Sequence, residues 1–209
     1  MNNVIKIVDI LKSGGVVLMQ VDTIYGLICD GLNDLAIRKI EKIKHRNKPS
    51  FSFFVRDINV AKKYTELSQI QEKCFQTVFP GYFTLILPAS NLAINTLQER
   101  TLGNINNLKT IGLRIPKNNL CLNILKYFDT PLLATSANIS GEKTATKFEE
   151  IKEEIIKSVD FVFYDKNEKI AGSGSTIIDI TNPTNSKIIR SGSGNIDILK
   201  GIISFQEKI

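Results

Sequence analysis

The sequence has few of the residues on which most metal sites, disulfides and nucleophilic active sites depend. Among its 209 residues there are three cysteines and one histidine. Cys29, Cys74 and Cys121 lie far apart and form no Cys-x-x-Cys pair, which argues against a zinc cluster and a disulfide framework. We expect them to be reduced core residues. His45 stands between two basic residues, and no nucleophile pattern accompanies it, so a Ser-His-Asp or Cys-His site is not indicated.

Several longer patterns are missing as well. No Gly-x-Gly-x-x-Gly follows a predicted strand, which argues against a dinucleotide fold, and Gly172-Ser173-Gly174-Ser175 lacks the Lys-Ser/Thr pair and the helix of a P-loop. The first residues do not combine a basic region with an apolar one, and no apolar run is long enough to span a bilayer. We therefore expect a cytoplasmic protein with no membrane partner.

The amino-acid composition is that of an ordinary globular protein with more basic than acidic residues. Hydrophobic residues make up 43% of the chain, charged residues 23%, and the formal net charge is +6. The length suits one sizeable α/β domain. A basic surplus favours anionic partners such as nucleotides, phosphates or RNA, but it does not choose among them.

Hydrophobic periodicity and turn residues predict alternating helices and strands. Predicted helices cover residues 4–11, 34–44, 59–64, 69–78, 119–128, 148–158 and 196–202. Predicted strands cover residues 16–21, 51–55, 82–87, 110–115, 132–135, 161–163, 176–180 and 188–190. Residues 90–109 are polar, show no clean periodicity and are interpreted as a surface excursion.

Polar residues at strand ends are the candidate site. Asp22, Thr23 and Tyr25 follow the first apolar strand, and we interpret them with Gly26 as a site-bearing loop. Ser136 begins a second such loop, whose small hydroxyl and amide groups can hold a phosphate; an ordinary turn or helix cap is the alternative.

Basic residues are the second part of the candidate site and supply its positive charge. Lys44, Arg46 and Lys48 lie within five residues, either as a solvated helix end or as one side of a cleft shared with the first loop. Arg114 interrupts an apolar strand, so it either leaves the uncovered face of the sheet or is held by an anion; we favour the second reading. Hydroxyls, amides and cations of this kind bind phosphates and carboxylates and suit catalysis by positioning and charge stabilisation.

The order and spacing of several motifs resemble one protein family. Each motif is weak alone, but together they cover about residues 4–192. The motifs are Asp22-Thr23-Ile24-Tyr25-Gly26-Leu27, Lys44-x-Arg46 with Lys48-Pro49, Tyr82-Phe83-Thr84-Leu85-Ile86-Leu87, Thr110-Ile111-Gly112-Leu113-Arg114-Ile115-Pro116, Ser136-Ala137-Asn138-Ile139-Ser140-Gly141, Ser175-Thr176-Ile177 and Ile189-Arg190-Ser191-Gly192. On these residues the chain resembles the YrdC/TsaC family of threonylcarbamoyl-AMP synthases.

The resemblance implies a fold and a reaction. The fold is α/β, a single domain over residues 1–209 with a twisted mixed sheet, flanking helices, an open, positively charged concave cleft and a short C-terminal helix. The reaction converts L-threonine, bicarbonate or carbon dioxide, and ATP into threonylcarbamoyl-AMP and pyrophosphate. Mg²⁺ would be bound through the ATP phosphates, and no tightly bound organic cofactor is implied. A tRNA threonylcarbamoyl transferase complex would use the product to modify the adenosine next to the anticodon (t6A).

The same resemblance implies roles for the residues that match the family motifs. Thr23, Arg114 and Ser136 would bind L-threonine. The residues that would bind ATP are Arg46, Lys48, Thr110, Asn138, Thr146 and Arg190. Lys44 and Arg46 would be catalytic, with Lys44 adding positive charge near the phosphates. We expect templated nucleotidyl transfer without a covalent enzyme intermediate, because alignment and neutralised phosphates matter most in such a reaction.

The sequence departs from the family pattern at a few positions. Gln20 and Val21 stand where the family usually has Pro-Thr, a change expected to relax the turn and remove one hydroxyl. Phe53 stands where some members have a ligand-contacting histidine, so we expect an altered threonine pocket. The chain ends soon after Arg190, as expected for the short family form that lacks an additional C-terminal domain.

A competing hypothesis is a non-catalytic module that binds tRNA or double-stranded RNA through the basic cleft, because the family also resembles proteins with such affinity. Its binding would fall steeply with salt and would not depend on ATP. Thr23, Ser136 and Asn138 instead predict a bounded pocket, whereas an RNA surface needs a wide spread of Lys and Arg. A role in carbamoyl-phosphate processing within a larger hydrogenase-maturation protein is disfavoured by the chain length and the lack of zinc-finger cysteines.

Overall fold

A computed structural model describes residues 3–45, 51–105 and 107–206. Its α-helices are α1 (Asn3–Lys12), α2 (Asp34–Ile43), α3 (Ile58–Tyr64), α4 (Gln69–Val78), α5 (Asn91–Thr96), α6 (Asn119–Leu125) and α7 (Glu153–Ser158). Its strands are β1 (Val17–Gln20), β2 (Tyr25–Asp30), β3 (Ser52–Phe54), β4 (Phe83–Pro88), β5 (Gly103–Ile105), β6 (Leu108–Arg114), β7 (Leu132–Ser136), β8 (Phe161–Phe163), β9 (Thr176–Asp179) and β10 (Lys187–Arg190). Short 3-10 helices cover Glu99–Thr101, Phe148–Glu150, Pro183–Asn185 and Ile196–Leu199.

The strands form one mixed sheet in the order β10-β9-β4-β6-β3-β7-β2-β1-β8, and β5 pairs with β6 beside this path. β1 and β2 form an antiparallel hairpin, in which Gln20 pairs with Tyr25. The parallel pairs are β1 with β8, β3 with β6 and β4 with β9. The predicted mixed α/β fold with flanking helices is confirmed.

The side chains of the central strands alternate between the two faces of the sheet, as a period of two residues requires. In β6, Ile111 and Leu113 pack into the larger core cluster, while Thr110, Gly112 and Arg114 line a cavity on the opposite face. Helices α2 to α5 and α7 contribute buried residues to the larger cluster. One face of the sheet is therefore covered by a layer of helices.

The second face is covered only in part. Helices α1 and α6 pack on it in a smaller core cluster, against Val17, Met19, Ile28 and Leu132. These residues belong to β1, β2 and β7. The part of the same face that lies over β3, β4, β6 and β9 carries the cavity. Because helices cover one end of this face, the polar strand residues at the other end remain accessible to a ligand.

Most helix boundaries follow local sequence signals. Asn33 caps α2 by accepting a hydrogen bond from the Ala36 amide, and Ser68 caps α4 in a capping box with Gln71. Gly14 follows α1 with a φ of +84°, a conformation that glycine adopts without strain. These predicted starts and stops are confirmed.

Four predictions of local structure were wrong. Tyr25 and Gly26 belong to β2, not to a loop. Residues 90–109 contain α5, a 3-10 turn and the β5–β6 hairpin instead of an irregular excursion. The helix predicted over 148–158 divides into a 3-10 turn and α7, and the last predicted helix is a 3-10 turn at Ile196–Leu199.

The three cysteines are buried and free, as predicted. Burial raises the pKa of Cys74 to about 11 and raises the pKa of Cys29 and Cys121 as well. These thiols are therefore protonated core side chains at neutral pH. None of the helices in residues 3–45, 51–105 and 107–206 has the length and apolar character needed to cross a membrane.

Candidate functional site

The candidate site is a cavity of about 860 Å³ on the open part of the sheet. It extends across neighbouring strands from β10 to β2 and over the turn that joins β1 to β2. Its floor is formed by alternate strand residues, including Thr84 and Ile86 from β4, Ser52 and Phe54 from β3, and Ile177 from β9. A cavity of this size is in the usual range for small-molecule and cofactor sites.

One wall of the cavity comes from residues 90–109, the segment that we interpreted from the sequence as a surface excursion. Arg100, Thr101, Gly103 and Asn104 line this wall, together with Lys109 at the start of β6. Asn107, with a φ of +64°, belongs to the turn between β5 and β6. Asparagine tolerates a positive φ. The Asn-rich stretch just before the predicted strand could therefore have indicated the turn between β5 and β6.

Arg100 fixes this wall to helix α2. Its Nε donates to Glu41 Oε1 at 2.8 Å, Nη1 donates to Gln98 at 3.1 Å, and Nη2 donates to Asp34. Hydrogen bonds from Arg38 and Arg100 lower the pKa of Asp34. Lys109 is paired with Glu99 at 2.6 Å. The basic residues of this wall are thus already neutralised by carboxylates of the same chain.

Arg114 lines the cavity from β6, and its side chain is 6% exposed; the part of the cavity around it is called the Arg114 end below. Nη2 donates to Asp22 Oδ1 at 2.5 Å, and Nη1 donates to Thr23 Oγ1 at 3.1 Å. The Arg114 Nε is buried and has no hydrogen-bond partner in the structure. Its guanidinium carbon lies 5.6 Å from the centre of the Phe54 ring. The anion that holds Arg114 in the structure is therefore Asp22, and the Nε donor has no partner there.

The β1–β2 turn positions the partners of Arg114. Asp22 is 4% exposed and Thr23 is 1% exposed, so both side chains are buried where the hairpin reverses. Asp22 Oδ2 also accepts the Lys117 amide at 2.7 Å. A buried carboxylate needs hydrogen-bond donors of this kind. The Asp22 carboxylate thereby links the β1–β2 turn to Arg114 at the end of β6 and to Lys117 in the segment after it.

Arg190 lines the same cavity from β10, and the part of the cavity around it is called the Arg190 end below. Its Nε and Nη2 donate to Ser175 O at 3.1 and 2.8 Å, and Nη2 also contacts Ser175 Oγ at 3.2 Å. Among the residues described, no carboxylate forms an ion pair with Arg190. Desolvation lowers the pKa of Arg190, and the charge of Arg114 lowers it further. An anion placed between the two arginines would relieve this repulsion.

The loop after β7 is organised around Lys44. Lys44 is 3% exposed, and its Nζ donates to Ser136 O at 2.7 Å and to Asn138 O at 2.8 Å. Ser136 Oγ donates to Asn138 Oδ1 at 2.5 Å, and Asn138 Nδ2 donates to Glu142 O at 2.7 Å. The structure thus places Lys44 beneath the loop, where it fixes the backbone that carries Ser136. Ser136 lines the cavity.

The remaining predicted site residues fall into three groups: one lines the cavity, one caps a turn, and two lie outside the described residues. Thr110 is buried and lines the cavity. Thr146 donates from its backbone N and its Oγ1 to Glu150 Oε2, at 2.8 and 3.1 Å, at the start of the Phe148–Glu150 turn. Arg46 and Lys48 lie outside the described residues. The structure therefore brings Thr23, Thr110, Arg114, Ser136 and Arg190 together around one cavity.

The two departures from the family pattern have different consequences. Gln20 forms side-chain hydrogen bonds with the backbone of residues 165–168, and the expected relaxation of the turn stays a prediction. Phe53 is fully buried in the larger core cluster, on the face opposite the cavity, while its neighbours Ser52 and Phe54 line the cavity. Phe53 therefore does not alter the pocket by direct contact.

Comparison with known proteins identifies the family. A sequence model of the Sua5/YciO/YrdC family, described as telomere recombination, matches residues 9–192. The chain belongs to the Sua5/YciO/YrdC family. The resemblance inferred from the motifs is thus confirmed.

Relatives and solved structures agree with this assignment. A protein of Methanocaldococcus jannaschii, provisionally named threonylcarbamoyl-AMP synthase, is 35% identical over 93% of this chain and 89% of its own length. YciO of Escherichia coli K12, named as uncharacterized, is 28% identical over 90% of this chain and 88% of its own. The crystal structure of E. coli YciO superimposes with a TM-score of 0.80, at 26% identity, over 94% of this chain and 92% of that chain.

The Sua5 structures share the fold and are longer. Sua5 of Pyrococcus abyssi complexed with L-threonine superimposes with a TM-score of 0.84 at 23% identity. The match covers 97% of this chain and 58% of the Sua5 chain, so this chain spans less than two thirds of the length of that relative. At this identity the superposition demonstrates the Sua5/YciO/YrdC fold.

Proposed function

We propose that this protein is a threonylcarbamoyl-AMP synthase, which converts L-threonine, bicarbonate or carbon dioxide, and ATP into threonylcarbamoyl-AMP and pyrophosphate. The observation that carries the proposal is that Arg114 and Arg190 line the same cavity, from β6 and β10. Further support comes from the family and from the M. jannaschii relative. A cavity with separated cations suits a reaction that joins a carboxylate-bearing substrate to a phosphate-bearing one.

In this proposal, the Arg114 end binds L-threonine. The unpartnered Nε and the remaining Nη protons of Arg114 would donate to the threonine carboxylate. Asp22 and Thr23 hold the guanidinium in a fixed orientation, which reduces the entropy lost on binding. Ser136, which lines the same cavity, would contribute a hydroxyl.

The Arg190 end binds ATP in this proposal. Arg190 would donate to phosphate oxygens, since its contacts with Ser175 engage only neutral oxygen atoms. Thr110 lines the same cavity and would contribute a hydroxyl. The ATP-binding roles of Arg46, Lys48 and Thr146 stay predictions. The Asn138 side chain and Lys44 would act by fixing the loop that presents Ser136.

The proposed chemistry requires positioning more than a protein nucleophile. The threonine amine reacts with bicarbonate to form a carbamate and water, or with carbon dioxide to form a carbamate and a proton. A carbamate oxygen then attacks the α-phosphorus of ATP, the bond from this phosphorus to the oxygen that bridges to the β-phosphate breaks, and pyrophosphate leaves. Negative charge grows on the departing phosphates, and a cation such as Arg190 stabilises it. Alignment of the two substrates in one cavity supplies much of the rate enhancement.

Magnesium belongs to this proposal as part of the nucleotide substrate. Within the described residues, no group of three or more His, Cys, Asp or Glu is arranged to hold a metal ion. As the family resemblance implies, the ion would arrive bound to the ATP phosphates, where it neutralises charge. We assign no step to a protein-held metal.

The product and the cellular role extend the proposal. Threonylcarbamoyl-AMP is an activated acyl adenylate, so a transferase that acts on tRNA would consume it in t6A formation. Such a role fits a cytoplasmic location and a transient contact with tRNA.

The test is pyrophosphate release from ATP with magnesium and bicarbonate, measured with and without L-threonine and with L-serine as a control. Release that requires both threonine and bicarbonate is the expected result. Release without threonine would contradict the proposed substrate. No release, together with RNA binding that weakens steeply with salt, would favour the RNA-binding module instead.

A further inference from the structure

The segment of residues 165–175, called the strap below, connects the two ends of the cavity. It joins β8 to β9, and most of its residues are exposed. Its first anchor is Gln20, which is 3% exposed. Gln20 Oε1 accepts the Asp165 amide at 2.7 Å, and Nε2 donates to Asp165 O at 2.9 Å and to Glu168 O at 3.3 Å. A carboxamide can make this set because it is both donor and acceptor.

The middle of the strap is bonded to the Arg114 end. The Ala171 amide donates to Asp22 O at 2.9 Å, and the Gly172 amide donates to Thr23 O at 3.0 Å. Asp22 and Thr23 are the residues whose side chains hold Arg114. The strap therefore fixes the backbone of the turn that positions Arg114.

The last residues of the strap are bonded to the Arg190 end. Gly174 O accepts the Ser193 amide at 2.9 Å. Ser175 O accepts Arg190 Nη2 at 2.8 Å, and Ser175 Oγ shares a hydrogen bond with Thr84 Oγ1 at 2.8 Å. One short segment of backbone thus contacts the supports of both arginines.

We propose that Gln20 is a positioning residue that couples the two ends of the cavity through the strap. This inference rests on the proposed function, since it takes L-threonine and ATP as the two ligands. Gln20 fixes the start of the strap, so a restraint that a ligand imposes at one end is transmitted to the other, and the second ligand loses less conformational entropy on binding. Without Gln20, residues 165–168 lose their side-chain anchor and each end responds independently.

The experiment measures this coupling directly. Binding of a non-hydrolysable ATP analogue to the full chain is measured by calorimetry without and with saturating L-threonine. For the unmodified protein we expect threonine to tighten nucleotide binding about fivefold, the lower part of the usual range for coupled sites. For Gln20→Leu we expect the ratio to fall to about one, while threonine alone still binds within about threefold of its original affinity.

Gln71→Leu is the matched control. Gln71 is 4% exposed, its Nε2 donates to Ile180 O at 2.8 Å, and its Oε1 accepts the Ser68 amide at 2.9 Å. This substitution removes buried hydrogen bonds of the same kind in α4, away from the cavity. We expect it to keep the fivefold ratio. Equal loss of coupling in both variants would overturn the proposal in favour of a general packing effect.

A second variant tests the same strap without changing a buried residue. Glu168 is exposed, and its Oε1 accepts Asn118 Nδ2 at 2.8 Å. Glu168→Ala is expected to give a ratio between those of the unmodified protein and Gln20→Leu. If Gln20→Leu does not fold, Glu168→Ala decides, and an unchanged ratio there overturns the inference.

The outcomes for the unmodified protein separate this inference from the proposed function. A protein that binds both ligands without coupling overturns the role of Gln20 and leaves the synthase proposal standing. A protein that binds neither ligand overturns both. An unchanged fivefold ratio in a folded Gln20→Leu variant overturns the role of Gln20 alone.

Discussion

Arg114 and Arg190 lie in the same cavity, but the protein holds their guanidinium groups in opposite ways. Arg114 is buried and paired with Asp22, so its charge is neutralised within the protein. Arg190 is exposed and bonded to the neutral oxygens of Ser175. The Arg114 end can therefore bind a ligand through oriented donors with little net charge, whereas the Arg190 end retains its full charge for an anion.

Removing each arginine is the strongest test of this difference. Arg114→Ala leaves the Asp22 carboxylate buried without its ion-pair partner, and we expect a loss of about 3–5 kcal/mol in the free energy of unfolding. Arg190→Ala removes partly buried hydrogen bonds to the neutral oxygens of Ser175, and we expect a smaller loss of about 1–2 kcal/mol. Urea unfolding of the two variants measures both values. Equal losses would show that the ion pair with Asp22 does not distinguish the two ends.

The parts of the molecule that could be predicted from sequence are those specified by local signals. Strand β6 was found because its apolar residues alternate, and helix α4 because Ser68 and the apolar residues that follow mark its start and face. The cavity residues Thr23 and Arg114 were found because polar side chains interrupt or follow apolar strands. Such side chains need a partner or a ligand wherever they are buried.

The parts that could not be predicted depend on contacts between distant segments. Strand β2 begins at Tyr25, beside polar residues that resemble a loop, and its pairing with β7 carries no local signal. The family resemblance gives Lys44 a role near the phosphates, and that role stays a prediction. The hydrogen bonds from its Nζ to the carbonyls of Ser136 and Asn138, 92 and 94 residues away along the chain, carry no local sequence signal. The wall formed by Arg100 was missed because its ion pairs with α2 also join distant residues.

A pair of isosteric substitutions sharpens the comparison at the level of ligand binding. Thr23→Val removes the hydroxyl that accepts Arg114 Nη1 at 3.1 Å, and Thr110→Val removes a hydroxyl from the cavity floor. We expect Thr23→Val to raise the KM for L-threonine about fivefold, equivalent to about 1 kcal/mol, with the KM for ATP changed less than about twofold. Thr110→Val should show the reverse pattern. Equal weakening of both substrates in either variant would contradict the division of the cavity.

Salt provides the mildest test, because it changes neither end covalently. Raising the ionic strength from about 0.1 to 1 M shortens the Debye length from about 10 to 3 Å, and exposed charges are screened more than buried ones. We expect affinity for a non-hydrolysable ATP analogue to fall about threefold to tenfold over this range, and affinity for L-threonine to change less than about twofold. Arg190→Ala should flatten the salt dependence of nucleotide binding. A threonine affinity as sensitive to salt as that of the nucleotide would show that Asp22 does not neutralise Arg114 toward its ligand, and that the two ends differ only in exposure.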